Sequence, residues 1–234
     1  MSRYSATVLA DSPIRYYRLG EPSGTVATDS GSQAQNGTIH TGVTLATASV
    51  VRTDTANTAM TFASASSGYI SMPTTSLPTG SAHWTIEAWV KMPTVPTDAG
   101  YYTIAEFGTD TANQAAAILV NSKLFFCNTF TTTHAAALAV AVDGAVYHVV
   151  GYYDGTSYGL YVNGVFQSSV VATPAVGTTY AYIGAEGTTQ GDFFNGAIDE
   201  VAFYSTTLSA ARILAHWNAG YHLMMSDGYG GVFS

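Results

Sequence analysis

Cysteine occurs once, at Cys127, and lysine only twice, at Lys91 and Lys123. One cysteine excludes an internal disulfide and any zinc site built on several thiolates. Charged residues are only 9% of the chain and the formal net charge is −8. Binding to a nucleic-acid backbone needs clustered cations that displace counterions. The sequence has no such cluster, which argues against nucleic acid and against an anionic membrane surface as partners. The longest apolar stretch, Ala135 to Val142, is far too short to span a bilayer. The opening residues Met1 to Asp11 hold no apolar run of signal-peptide length. The expected product is therefore made and folded in a cytoplasm. No repeat of fixed period is visible, which disfavours solenoids and propellers.

The remainder is rich in what builds sheets. Hydrophobic residues make up 47% of the 234 residues, with 16 tyrosines and 10 phenylalanines. Aromatic and β-branched side chains suit a pleated, half-buried surface. A compact chain this long buries roughly three quarters of its unfolded surface and needs no disulfide or metal to hold a core. Thr85 to Lys91 alternates, with Ile86, Ala88 and Val90 on one side. Val146 to Tyr153 ends at Asp154-Gly155, and Tyr158 to Val162 meets Asn163-Gly164 before Val165-Phe166-Gln167. Asn-Gly fits a type I′ turn, so residues 146–171 are predicted as a three-stranded meander. Further strands are expected near 16–19, 38–45, 59–62, 69–72, 101–107, 116–127, 180–184 and 196–204. Short strands at such spacing indicate a two-sheet sandwich.

One helix is predicted, from Leu208 to Gly220, with Ser209 as its N-cap and Gly220 as a left-handed C-terminal cap. Arg212 stands where a capping-box acid is expected. The expected division is an N-terminal arm at 1–11, a jelly-roll domain at 12–220 and a C-terminal arm at 221–234. The last keeps Leu223, Met224, Met225, Tyr229, Val232 and Phe233 among its glycines, which favours docking on a neighbouring chain or, failing that, on its own sandwich.

Four groups of residues together resemble the laminin-G-like, concanavalin-A-like lectin jelly rolls. They are Tyr16 to Glu21 with Asp29-Ser30-Gly31 and Asn36-Gly37-Thr38; Thr85 to Val90; Tyr147 to Val150 with Tyr153-Asp154-Gly155 and Leu160 to Gly164; and Ile183-Gly184, Phe194 to Val201 and Leu208-Ser209. Tyr17 and Tyr147 stand where that family usually has Trp. The resemblance implies an all-β fold of two antiparallel sheets with six or seven strands each and a concave face. It implies binding of carbohydrate or protein, often with calcium. Asp29 and Asp199, assisted by Glu21, are the calcium candidates that it points to. Against this stands a simpler role for Asp29 as the first residue of an Asx-type turn. Domains that begin near a native Met with a phrase like Leu9-Ala10-Asp11-Ser12-Pro13 resemble bacteriophage virion proteins of the capsid surface or tail. That implies a virion location, with other virion proteins or copies of the chain as partners and a host glycan as ligand. A free bacterial lectin-like module is the alternative.

Catalytic motifs are few. Gly155-Thr156-Ser157-Tyr158-Gly159 matches a nucleophile elbow, but that elbow must join a strand to a helix, whereas both flanks here are predicted as strands. Asp199 and Glu200 invite comparison with glycosidases of the same fold. Alternation along a strand is expected to turn them to opposite faces, leaving no carboxylate pair. The six histidines, His40, His83, His134, His148, His216 and His222, form no metal-binding spacing. His148 is expected to be packed or hydrogen-bonded, and His216 and His222 to flank the helix end. Tyr101, Tyr102, Phe193 and Phe194 are candidate sugar-stacking residues. The chain is thus expected to be a non-catalytic binding or structural module.

Overall fold

The computed structural model describes residues 2–128, 134–137 and 140–222. In chain order the elements are α1 (Arg3–Leu9), β1 (Arg15–Tyr17), β2 (Val26–Ala27), β3 (Gly37–Ile39), β4 (Val43–Ala48), β5 (Thr58–Phe62), β6 (Ile70–Ser71), β7 (Trp84–Lys91) and β8 (Tyr102–Gly108). There follow β9 (Ala115–Asn121), β10 (Leu124–Asn128), β11 (His134–Ala136), β12 (Val146–Tyr153), β13 (Ser157–Val162), β14 (Val165–Val171), β15 (Tyr180–Ile183), β16 (Gly196–Tyr204) and α2 (Ala210–Tyr221). The first sheet runs β14-β13-β12-β7-β16-β5-β4, with β1 also paired to β16; the second runs β11-β10-β9-β8-β15-β6-β3-β2. All pairings between these strands are antiparallel. This is the expected jelly-roll sandwich. Among the described residues each sheet has eight strands instead of six or seven: short β2 and β11 close the ends of the second, and β1 adds to the first beside β16. The meander of β12, β13 and β14 forms as predicted, and both Asn163 and Gly164 have positive φ, as its I′ turn requires.

Period-two alternation sorts the side chains of each strand between two faces. Ile86, Ala88 and Val90 from β7 meet Ala105 and Phe107 from β8, Ile118 and Val120 from β9, and Ala181 and Ile183 from β15 in the inter-sheet core. The outer face of the first sheet is not solvated. It carries Tyr16, Trp89, Val150, Ala202 and Tyr204, on which Tyr4 and Val8 of α1 and Ile213 and Ala219 of α2 are packed. Full burial of one such side chain stabilises by about 1.5–3 kcal/mol, so this second core is substantial.

Two features of that cover differ from the sequence-based expectation. Residues 3–9 form a helix capped by Ser2 and docked on α2, where an arm was expected. Gly220 lies inside α2, whose C-cap is His222 in extended conformation. A Cβ on Gly220 would sit 2.3 Å from Cζ2 of the buried Trp89, so a close approach of helix to ring, and not a left-handed cap, calls for glycine. Ser209 does cap α2, its Oγ accepting from the Arg212 amide at 3.3 Å. The Arg212 side chain reaches instead to Asp11, Nε donating at 2.8 and 2.9 Å, and ties the two helices together. Of the expected C-terminal arm, Tyr221 and His222 are described; the apolar residues from Leu223 onward lie outside the described residues.

Candidate functional site

The carboxylates singled out for calcium are held by protein donors. Asp29 Oδ1 accepts from the amides of Tyr16 and Gly31, both at 2.7 Å, and Oδ2 accepts from Gln35 at 2.8 Å. Its bond to Gly31, two residues on, is the Asx-type turn. Glu21 Oε1 accepts from the Thr28 amide at 2.7 Å. Asp199 Oδ2 accepts from Ser49 Oγ at 2.8 Å and the Val50 amide at 3.2 Å. Asp199 Oδ1 and Glu21 Oε2 have no donor, but they sit in these separate clusters. Among the described residues no group of three His, Cys, Asp or Glu side chains is placed to hold a metal ion. The three candidates are not brought together as one donor set.

Asp199 and Glu200 correct the alternation argument. The register of β16 against β7 shifts between Asp199 and Ala202, and Glu200 has φ +53°. Such a bulge places two successive side chains on one face. Ile198, Val201 and Phe203 point into the inter-sheet core, while Asp199 and Glu200 both turn outward, toward the 49–57 segment and Tyr16. The pair is fully buried. Burial, and then the neighbouring Glu200 charge, holds the Asp199 carboxyl well above its ordinary range. Glu200 takes hydrogen bonds from the Tyr16 hydroxyl, from Arg18 Nε and Nη2 at 3.2 and 3.1 Å, and from Asn57 Nδ2 at 3.1 Å.

A second buried polar cluster pins that cover to the sheet. Glu87 accepts from His148 Nε2 at 2.9 Å, from His216 Nδ1 at 3.0 Å and from the Tyr204 hydroxyl. His216 Nε2 reaches Asp11 Oδ2 at 2.7 Å. Both His216 nitrogens thus face carboxylates. Burial alone would lower its pKa, but Glu87 and Asp11 together outweigh burial and raise it. Burial lowers that of His148. The expectation of a packed, hydrogen-bonded His148 holds, and His216, expected near the helix end, proves to be a buried bridge between Glu87 and Asp11.

The accessible chemistry lies on the outer face of the second sheet. In β15, Ala181 and Ile183 point into the core, so Tyr180 and Tyr182 point outward. By the same alternation Glu106 of β8 faces outward between Ala105 and Phe107. Tyr69 and His40 join them from the starts of β6 and the end of β3. His40 stacks on Tyr69 at 4.1 Å, Tyr69 meets Tyr182 edge-on at 5.4 Å, and Tyr182 stacks on Tyr180 at 5.3 Å. Phe193 lies 6.3 Å from Tyr69. His40, Tyr69, Tyr182 and Phe193 are all half-buried, so braced ring edges and phenol hydroxyls face outward.

A tight loop lies at one end of this strip. Glu186 and Gly191 exchange backbone hydrogen bonds at 2.8 and 3.0 Å, and Gln190 Nε2 donates to the Tyr182 hydroxyl at 2.9 Å. Asp192 is anchored through its carbonyl, which accepts from the Thr103 amide at 2.8 Å. Glu186 and Asp192 thus flank the loop closed by the Glu186–Gly191 bonds. Burial and then Asp192 push Glu186 up to about 8. Glu106 lies beneath, its Oε1 accepting from the Tyr180 hydroxyl and its Oε2 without a donor. Burial first, then Glu186, raises its pKa as well.

The four aromatic candidates separate. Phe193 belongs to the strip. Phe194 is fully buried in the inter-sheet core, which removes it as a stacking platform. Tyr102 is half-buried and donates its hydroxyl to Asp98 at 3.0 Å; a cleft of about 210 Å³ opens beside it. Tyr101, just before β8, is 45% exposed. Ser157 begins β13, with β12 before it, so the elbow motif sits in a strand-turn-strand context, as expected. His40, Tyr69 and Tyr182 were missed; the Tyr-Ala-Tyr-Ile alternation at 180–183 was the available signal.

The concanavalin A-like lectin/glucanases superfamily, in its laminin-G form, matches residues 64–214. The chain belongs to that family. No curated protein sequence matches it. Among solved structures, the binding domain of paraclostridial mosquitocidal protein 1 is similar with a TM-score of 0.72 at 13% identity, over 90% of this chain and 53% of that one. The chain thus spans about half of that toxin domain. Domain 4 of AbnA, an extracellular arabinanase of Geobacillus stearothermophilus solved with arabinotriose, gives 0.65 at 16% identity, over 88% of this chain and 98% of that one. Trypanosoma rangeli sialidase with bound sialic acid gives 0.62 at 13% identity, over 88% of this chain and 33% of that one. At such identities the likeness establishes the shared sandwich. Among the described residues no helix is long and apolar enough to cross a membrane.

Proposed function

We propose that this family member is a non-catalytic glycan-binding module, and that its ligand lies on the outer face of the second sheet. One observation carries this: His40, Tyr69, Tyr182 and Phe193, from four separate segments, form a continuous half-exposed strip beside Gln190, Glu186 and Asp192. Sugars offer apolar C–H faces and hydroxyls together. Rigid tyrosines meet both kinds of group at low entropic cost, and carboxylates accept hydroxyl protons. The arabinotriose bound to the similar AbnA domain supports the same reading.

Two arguments support a non-catalytic role. Asp199 and Glu200 are fully buried and bound to protein donors. The elbow-like Ser157 begins a strand after a strand, which is not the strand-to-helix context that a nucleophile elbow needs. For setting, we favour a bacteriophage virion, on the Leu9-to-Pro13 phrase of the sequence. Co-purification with particles is the expected result there, and recovery solely as a free protein would favour an isolated bacterial lectin-like module. A glycan array tests binding itself. Tyr69→Ala and Tyr182→Ala should each abolish or reduce at least about tenfold any signal seen with the parent protein. Unchanged signals in both variants would exclude this face.

A further inference from the structure

The acidic end of the strip says more about the ligand. Glu186 and Asp192 are half-buried on the loop closed by the Glu186–Gly191 backbone bonds, and Asp110 sits against the same loop, accepting from Thr188 Oγ1 at 3.3 Å. Beneath them Glu106, 1% exposed, keeps one carboxyl oxygen without any protein donor. The described ion pairs of this chain engage Arg15, Arg18, Arg212, His148 and His216, all on the first-sheet side or its edge. None reaches Glu106, Glu186, Asp192 or Asp110. Clustered carboxylates of this kind repel one another unless protons or a cation compensate them. The cluster adjoins the aromatic strip, and no three of its acids are placed to ligate a metal.

We propose, resting on the glycan reading above, that this end of the site takes a protonated amine carried by the sugar, so that the preferred ligands are glycans with free 2-amino groups. The ring lies against Tyr69, Tyr182 and Phe193, and the ammonium donates to Glu186 and Asp192 with Glu106 below. An ammonium has three donors and no acceptor, which matches the carboxyl oxygens of this loop and the unpaired oxygen of Glu106. An acetamide lacks the charge, and a uronic or sialic acid carries the wrong one.

The test compares a glucosamine hexamer, an N-acetylglucosamine hexamer and calcium chloride alone, each titrated into the full chain at pH 7 by calorimetry and NMR. The glucosamine hexamer is expected to bind at least about tenfold tighter than its acetylated form, the factor of one charge-assisted hydrogen bond. That preference should shrink between about 0.05 and about 0.5 M salt. Glu186→Gln with Asp192→Asn should remove the preference, so that this variant binds the two hexamers with equal affinity. Glutamine resembles the protonated Glu186, so the variant is expected to fold; its melting curve checks this. Equal affinity for the two hexamers, or a preference that survives in the double variant, overturns the proposal. So does calcium binding at Glu186 and Asp192. If Tyr69→Ala and Tyr182→Ala affect neither hexamer, the glycan site itself fails; if they weaken both equally without amine preference, only the amine proposal fails.

Discussion

Substitution of His216 by Ala should destabilise this protein more than most single changes. Its two nitrogens bridge Glu87 beneath it and Asp11 beside α1, so one imidazolium holds both helices to the first sheet. In His216→Ala, Glu87 keeps His148 and the Tyr204 hydroxyl but loses its cation while remaining fully buried. Breaking a buried pair by removing one partner costs about 3–5 kcal/mol. Domains of this kind are stable by only about 5–15 kcal/mol. At about 2–4 °C per kcal/mol for this size, the melting temperature should fall by roughly 6–20 °C. Urea unfolding at pH 6 gives the free energy directly. Glu87→Gln removes the charge that needs compensation, so the double variant Glu87→Gln/His216→Ala should be less destabilised than the sum of the two, by at least about 1 kcal/mol. Additivity within about 0.5 kcal/mol would refute the pairing as the source of the effect.

Three further outcomes follow from the same geometry. Asp199 and Glu106 have raised folded-state values, and Glu200 is pushed up to about 7 from 4.5, in each case by burial first. Each therefore contributes stability that is complete below its unfolded value and is lost as pH rises through the folded one. Melting temperature should accordingly fall from about pH 5 to 8, and Asp199→Asn with Glu106→Gln should flatten that profile; a rising profile would contradict the assignment. Gly220→Ala should cost about 1–3 kcal/mol, because Trp89 cannot yield to the added methyl; a neutral result in urea unfolding would show that α2 shifts freely. Ser209→Ala should cost about 1 kcal/mol through the lost cap, while Ser209→Asp should restore most of it.

Strand positions were legible because periodicity and turn chemistry are local. Asn163-Gly164 and the alternation from Thr85 to Lys91 each specify their structure within a few residues. What was not legible depends on tertiary contact. The helix at residues 3–9 is too short to stand alone and exists because Tyr4 and Val8 have Trp89 and α2 to pack on. Gly220 looked like a cap because only a distant ring explains it. A single left-handed residue at Glu200 cancelled the alternation on which the facing of Asp199 was argued. The aromatic strip is likewise assembled by sheet order: β3, β6 and β15 are neighbours in space and far apart in sequence. Phe193 and Phe194 were indistinguishable as neighbours in a loop, yet one joined the strip and the other the core.

Chemical-shift mapping on isotope-labelled protein, with a soluble oligosaccharide that scores on the glycan array, tests the central claim most directly. Perturbations are expected to centre on His40, Tyr69, Tyr182, Gln190 and Phe193, and to vanish in Tyr182→Ala. Shifts centred instead on the exposed Val165 and Phe166 of β14, or around Arg18 and Asp54, would place the ligand on the first sheet and contradict the account.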